Sequence, residues 1–133
     1  MNGNKALLDS NIIIYLSKGT IDFDELSISY DHFFISIITY MEVLGYHFTN
    51  EVEKKLIEEL LNQFEILNVD LELANNVIEI RRTTKIKLPD AIIFATADIN
   101  NCDLITNNIS DFKSINAKVQ LVEVGTLSRI HKR

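Results

Sequence analysis

Ala6-Leu7-Leu8-Asp9-Ser10-Asn11 is the stretch on which the fold turns. Three apolar residues followed at once by three polar ones read as a short buried strand that stops at a polar turn. Ile12 to Leu16 is apolar again, but the polar break implies that a short helix begins there rather than that the strand continues. Outward from this point the same alternation repeats. One or two helical turns fit Asp22 to Ile28. Phe33-Phe34-Ile35 reads as a second buried strand, with Ser36 at a helix N-cap, a helix over Ile37 to Tyr46 and Gly45 near its end. Glu51 to Gln63 is an amphipathic helix whose apolar face is read as Val52, Leu56, Leu60 and Phe64, opposite Glu53, Lys54, Lys55, Glu58 and Glu59. Phe64 to Val69 reads as a third strand, and Asp70 to Thr84 as a helix with Leu73, Val77 and Ile80 inward.

Pro89 belongs in the first turn of a further helix, where its missing N–H costs nothing. Ala91 to Ala97 is almost wholly apolar, so that helix is expected to be buried, with Ala91 and Ala95 allowing close approach to a sheet. Asp103 to Thr106 reads as a strand ending in an Asn107-Asn108 turn, and Val119 to Val124 as the last strand. Short apolar strands alternating with helices define an α/β fold: a mostly parallel central sheet flanked by helices in three layers. Ligands of such sheets bind beyond the carboxyl ends of the strands.

The chain has 133 residues, 47% hydrophobic and 24% charged, with one proline and four glycines, and no internal repeat or low-complexity tract. These values predict one ordered domain over 1–133. The net charge of −6 argues against a protein that coats nucleic acid electrostatically, though carboxylates gathered around cations count the same way. One cysteine, Cys102, forbids an intrachain disulfide and suits a reducing compartment; its apolar context predicts an inert buried thiol. The stretch Ala6 to Leu16 is too interrupted for a secretion signal, and no apolar run has the roughly 20 residues that span a bilayer. The expected location is the cytoplasm, away from membranes.

Most acids lie on amphipathic helices as solvated charges. Four do not. Asp9 directly follows a strand, Glu42 lies inside the otherwise apolar helix Ile37 to Leu44, Asp90 opens the most apolar helix, and Asp111 follows the Leu104 to Thr106 strand and its turn. Singly, Asp9 and Asp90 read as a turn or cap and a macrodipole partner, and Asp111 as a loop acid beside Phe112. Glu42 is costly there unless paired, and Thr39, three residues earlier on the same face, is within reach of it. Together they can meet at one sheet edge. Converging carboxylates repel, and a divalent cation relieves the repulsion. All-oxygen ligation favours Mg²⁺ or Mn²⁺, and no His/Cys cluster with zinc spacing exists. Such a centre suits phosphodiester hydrolysis, because the metal acidifies a bound water and stabilises charge on the phosphate.

These residues also carry a family resemblance over nearly the whole chain. Leu7-Leu8-Asp9-Ser10-Asn11 resembles the L-L-D-T-N opening of PIN-domain proteins of the VapC toxin type, with Ser10 replacing threonine. Ser36 to Glu42 matches S-x-x-T-x-x-E, and Leu88-Pro89-Asp90-Ala91-Ile92-Ile93 matches L-P-D-A-x-I, followed by Ala95-Thr96-Ala97. Leu104 to Asn108 with Asp111-Phe112 resembles the closing L-x-T-x-N/D segment and its D-F. The resemblance implies a metal-dependent endoribonuclease with Asp9, Glu42 and Asp90 as acidic metal ligands. Many relatives carry aspartate where Asn108 stands, so Asp111 is favoured as the fourth carboxylate, with Asn11, Thr39, Thr106 and Asn108 in support. Arg81, Arg82, Lys85 and Lys87 would position the RNA backbone, and the basic tail Arg129 to Arg133 is a further candidate. The family also implies an antitoxin protein that blocks the site, and a homodimer.

His32 and His47 lack ligand spacing and read as structural. Asp103 precedes its strand, at the wrong edge for the site, and Asp98 is set aside with it. A receiver-type phosphoacceptor domain is disfavoured because Phe64 to Val69 lacks the required aspartate. The remaining rivals are a PIN-like scaffold that binds RNA or protein without cleaving, and a PIN nuclease of RNA maturation.

Overall fold

The computed structural model describes residues 4–113, 115 and 119–123. Its strands are β1 (Lys5–Leu8), β2 (His32–Ser36), β3 (Glu65–Leu67), β4 (Asp103–Ile105) and β5 (Leu121–Val122). All pair in parallel, in the order β3-β2-β1-β4-β5, so the expected mostly parallel sheet is parallel throughout the described pairings. The helices are α1 (Ser10–Ser17), α2 (Phe23–Ser29), α3 (Ile37–Leu44), α4 (Glu51–Leu61), α5 (Leu71–Thr83), α6 (Leu88–Ile99) and the single turn α7 (Ile109–Phe112).

Side chains alternate across a strand, and here the alternation builds the three layers. Ala6, Leu8, Ile35 and Ile105 face a core completed by Ile12, Ile13, Leu26, Val43, Ile57 and Leu61. Leu7 and Leu104 face the opposite core, with Leu73, Val77, Ile80, Ile93, Phe94 and Phe112. A parallel sheet needs both faces covered, which is why its strands are short and apolar without polar alternation. Leu7, Leu8 and Leu104 are fully buried, each worth about 1.5–3 kcal/mol of transfer free energy.

Two expectations need correction. On α4, Val52 is 67% and Leu56 51% exposed, while Ile57 and Leu61 are buried. The helix carries two adjacent apolar stripes, 52/56/60 and 57/61/64, and it packs on α1 and α3 through the second. Periodicity alone does not choose between such stripes. The Asn107-Asn108 turn leads not into a loop but into α7, so Asp111 sits on a helical turn. Phe112 on that turn is buried against Phe94 of α6, the rings stacked with centroids 6.1 Å apart.

The other elements agree with the sequence within a residue or two at most ends. Asp9, Asp22, Ser36, Asn50 and Asp70 each cap the following helix by accepting a main-chain N–H. Pro89 lies in the first turn of α6, and Ala91 and Ala95 are fully buried where α6 packs on β1, β2 and β4. Val124 and the basic tail Arg129 to Arg133 lie outside the described residues. Among the described residues, no helix is long and apolar enough to cross a membrane.

Candidate active site

Strand order sets where a site can form. The chain moves from β1 outward through β2 to β3, then returns to the other side of β1 for β4 and β5. The direction therefore reverses between β1 and β4, and a crevice opens at their carboxyl ends. Asp9 and Thr106 are the first residues beyond those two ends. The main-chain N–H of Asp9 donates to the Ile105 carbonyl at 3.0 Å, which fixes Asp9 at the crevice.

Asp9 is 7% exposed, and both carboxylate oxygens are engaged. Oδ1 accepts the Ser10 N–H at 2.7 Å, and Oδ2 accepts the Thr106 hydroxyl at 2.8 Å. Burial nevertheless raises its pKa above the ordinary range; the two hydrogen bonds lower it and the nearby charge of Asp111 raises it further. Thr106 is fully buried and in turn accepts the main-chain N–H of Asn108 at 2.9 Å. Asn108 thus supports the site through its backbone, while its side chain is exposed and does not cap α7.

Glu42 comes from α3, which Ser36 starts at the carboxyl end of β2. It is exposed, on the outer side of a helix whose Thr39 and Val43 are buried. The expected Thr39–Glu42 pairing is indirect. Ser10 donates its hydroxyl to Glu42 Oε1 at 2.7 Å and lies 3.4 Å from the Thr39 hydroxyl. Ser10 is the residue that sequence reasoning passed over. Its N–H holds Asp9 and its hydroxyl holds Glu42, so it ties two acids from separate elements. Its position between Asp9 and Asn11 at a helix start was the available signal.

Asp90, half-buried in the first turn of α6, completes the picture. Desolvation raises its pKa most, followed by the charges of Asp9, Asp111 and Glu42, with Lys87 opposing. All four acids singled out from the sequence therefore act on one locus. Asp111 is exposed at its rim, and the Phe112–Phe94 stack registers α7 against the helix that carries Asp90.

Two clefts open from this locus. One, of about 570 Å³, is lined by Asp90, Asp111, Lys85, Lys87, Thr83 and Thr84. The other, of about 360 Å³, is lined by Ser10, Asn11, Glu42 and residues of α1, α3 and α4. Of the four basic residues expected to meet RNA, only Lys85 and Lys87 line the acidic cleft. Arg81 donates to the Ile86 carbonyl, Arg82 pairs with Glu79, and both border an apolar surface of Val77, Ile78 and Leu88.

Among the described residues, no three His, Cys, Asp or Glu side chains are already drawn together closely enough to enclose a metal ion. The fit to a divalent cation rests on donor type and charge: carboxylate and hydroxyl oxygens only, and three negative neighbours raising Asp90 against one lysine. The acids set aside do lie elsewhere. Asp103 is buried at the opposite end of β4 and accepts the Tyr30 hydroxyl at 2.8 Å; Asp98 accepts from Asn76. Cys102 is fully buried, and desolvation pushes its thiol up to about 11, as an inert cysteine requires.

The chain is an all-parallel α/β domain with its acids at the switch point of the sheet, where folds of this class bind their ligands. The PIN domain family model matches residues 6–118, and the chain belongs to that family. No curated protein matches the sequence. Among solved structures, the chain is similar to a toxin–antitoxin complex from Klebsiella pneumoniae, at 35% identity and TM-score 0.70, covering 90% of this chain and 99% of that one. VapBC-1 from nontypeable Haemophilus influenzae matches at 26% identity and TM-score 0.75, covering 91% and 98%. VapBC2 from Rickettsia felis, bound to a DNA fragment from their promoter, matches in fold at 23% identity and TM-score 0.78, covering 90% and 98%. The family match also removes the receiver-domain alternative.

Proposed function

We propose that the chain is a divalent-metal-dependent endoribonuclease and the toxin of a toxin–antitoxin pair. The observation that carries this reading is the field at Asp90, where the charges of Asp9, Asp111 and Glu42 converge from three other parts of the fold. Membership of a nuclease family and similarity to toxin–antitoxin complexes support it.

Asp9, Glu42, Asp90 and Asp111 would hold Mg²⁺ or Mn²⁺. A bound cation supplies positive charge to the phosphate oxygens and acidifies the attacking water. The chain's own residues do the rest. Thr106 and Ser10 fix the Asp9 carboxylate, and Ser10 fixes Glu42, so the acids present a preset geometry. Lys85 and Lys87, on the rim beside Asp90, position the phosphate backbone. Water attacks phosphorus and gives up a proton, the bond to the leaving oxygen breaks and that oxygen takes up a proton, and no side chain becomes covalently attached. An antitoxin protein covers the acidic crevice in the inhibited complex, and the toxin works as a homodimer.

The test is cleavage of a mixed RNA pool by the purified protein with Mg²⁺ or Mn²⁺, beside Asp9→Asn and an EDTA control. Metal-dependent internal cuts that disappear in the variant are expected. Cutting that survives both EDTA and Asp9→Asn, or clean protein that cuts no RNA, would overturn the reading.

A further inference from the structure

The cleft on the α1–α3–α4 side of the acids has a composition that the catalytic reading does not require. Its walls combine Ile14 and Val43 with Tyr46, Asn11, Lys18 and Glu53. Tyr46 is 64% exposed, yet the Phe48 ring meets it at 73° with centroids 5.5 Å apart, so an exposed aromatic is braced by a second one. Lys18, at the end of α1, is exposed. Glu53 is only half-exposed and sits three residues after the N-cap Asn50, the place from which a glutamate ordinarily reaches back to the cap N–H. Among the described residues it accepts no such hydrogen bond and lines the cleft instead.

We infer that this cleft is a nucleobase subsite that selects guanine next to the scissile phosphate; the inference rests on the ribonuclease reading and names part of its substrate. A braced aromatic, a nearby lysine and an apolar floor are what an unpaired base and its phosphate need: a stacking face, a counter-charge and a dry wall. The carboxylate decides which base. Guanine alone presents two adjacent N–H donors on its Watson–Crick edge, N1–H and the 2-amino group, matching two carboxylate oxygens in parallel. Adenine and cytosine each set an acceptor nitrogen beside a single amino donor. Uracil flanks its one N–H with carbonyls. In those three bases a lone pair would face the Glu53 carboxylate. The cleft shares Ser10 and Glu42 with the acidic locus, so a base seated there lies adjacent to a phosphate at the acids. The larger cleft of Lys85 and Lys87, on the other side, then carries the strand onward.

The experiment is a titration of the metal-free protein with guanosine 5′-monophosphate and cytidine 5′-monophosphate, followed by backbone NMR, in the wild type, Glu53→Gln and Tyr46→Ala. Guanosine monophosphate is expected to shift resonances around Asn11, Tyr46 and Glu53 and to bind roughly 10-fold tighter than the cytidine nucleotide. Glu53→Gln should abolish that preference, and Tyr46→Ala should weaken both ligands. Glu53→Gln is nearly isosteric and Tyr46 is exposed, so both variants should fold. Equal binding of the two nucleotides, shifts confined to other surfaces, or a preference unchanged in Glu53→Gln would overturn the inference. An antitoxin segment that occupies the cleft while neither nucleotide binds would overturn it too. RNA cleavage separates the two readings. Guanine-selective binding without RNA cutting leaves a guanine-binding cleft but overturns its place beside a scissile phosphate together with the nuclease reading, whereas cutting without base preference keeps the nuclease and overturns the subsite.

Discussion

The hydroxyl of Thr106 donates to Oδ2 of Asp9 at 2.8 Å, joining the residue that follows β4 to the residue that follows β1 across the point where the strand order reverses. Neither residue is near the other in sequence, yet both are buried, and each needs the other. An Asp carboxylate without that donor would lose a hydrogen bond that offsets its desolvation, and the Thr106 hydroxyl without Asp9 would lose its acceptor. The same hydroxyl accepts the Asn108 N–H, so the bond also anchors the turn into α7.

Thr106→Val keeps the shape and removes the hydroxyl. Asp9 loses a hydrogen bond that lowers its pKa, so its pKa rises further. The acid limb of the kcat/KM profile should therefore move to higher pH. Stability should fall by about 1–3 kcal/mol, the cost of a buried polar group left unpartnered. A pH–rate profile and a urea titration check the two expectations; an unmoved acid limb would show that Thr106 does not tune Asp9.

Ser10→Ala removes the hydroxyl that restrains Glu42, while the Ser10 main-chain N–H still holds Asp9. Loss of an orienting contact behind a metal ligand typically costs on the order of 10–100-fold in metal affinity or activity. The expected signature is a higher Mn²⁺ requirement with little change in Tm, because Glu42 is exposed. Ser10→Thr, which restores the hydroxyl, should recover most of the loss. Equal behaviour of Ala and Thr at this position would argue against the orienting role.

What was legible in the sequence follows from how local each signal is. Asp9 stands out because it directly follows the apolar strand Ala6 to Leu8, and Asp90 because it opens the most apolar helix. The cap at Ser36 and the buried Ala91 to Ala97 segment were legible because each is a local pattern. The contact between Ser10 and Glu42 spans 32 residues and depends on how α3 lies against α1, which no local pattern encodes. The α4 face was misjudged because two apolar stripes compete on one helix and only the tertiary partners choose. The sequence favours Asp111 as the fourth carboxylate, but the helical turn under it packs through the Phe112–Phe94 stack, a contact between distant segments. Arg81 and Arg82 were grouped with Lys85 and Lys87 by proximity along the chain. The end of α5 separates them onto different surfaces.

Metal-free protein should be more stable in mild acid than at neutral pH. Both Asp9 and Asp90 have raised pKa values in the folded state. The folded form therefore binds these protons more tightly than the unfolded chain. Their contribution is fully present below the unfolded carboxylate range and is lost as pH rises through the folded pKa values. Thermal melts in EDTA should thus show Tm falling as pH rises from the ordinary carboxylate range toward neutrality. Asp90→Asn removes one of the repelling charges and should flatten that decline while reducing metal-dependent cleavage by at least about 100-fold. A Tm that climbs toward neutral pH in EDTA would contradict the shared field at these acids.

The basic residues give the sharpest contrast between sequence position and placement. Lys85 and Lys87 line the cleft with Asp90 and Asp111, whereas Arg82 spends its charge on Glu79 at an exposed site. A lysine that meets a backbone phosphate of single-stranded RNA adds about 0.7 to the slope of log affinity against log salt. Lys85→Ala and Lys87→Ala should each flatten that slope by about this amount and weaken binding of RNA regardless of its sequence. Arg82→Ala should leave the slope where it was, since its surface lies apart from the acidic cleft. Binding would be measured with the cleavage-deficient Asp9→Asn protein over a range of salt concentrations. If Arg82→Ala flattened the slope as much as the lysine variants, the strand would have to run over α5 instead of along the cleft that holds Asp90.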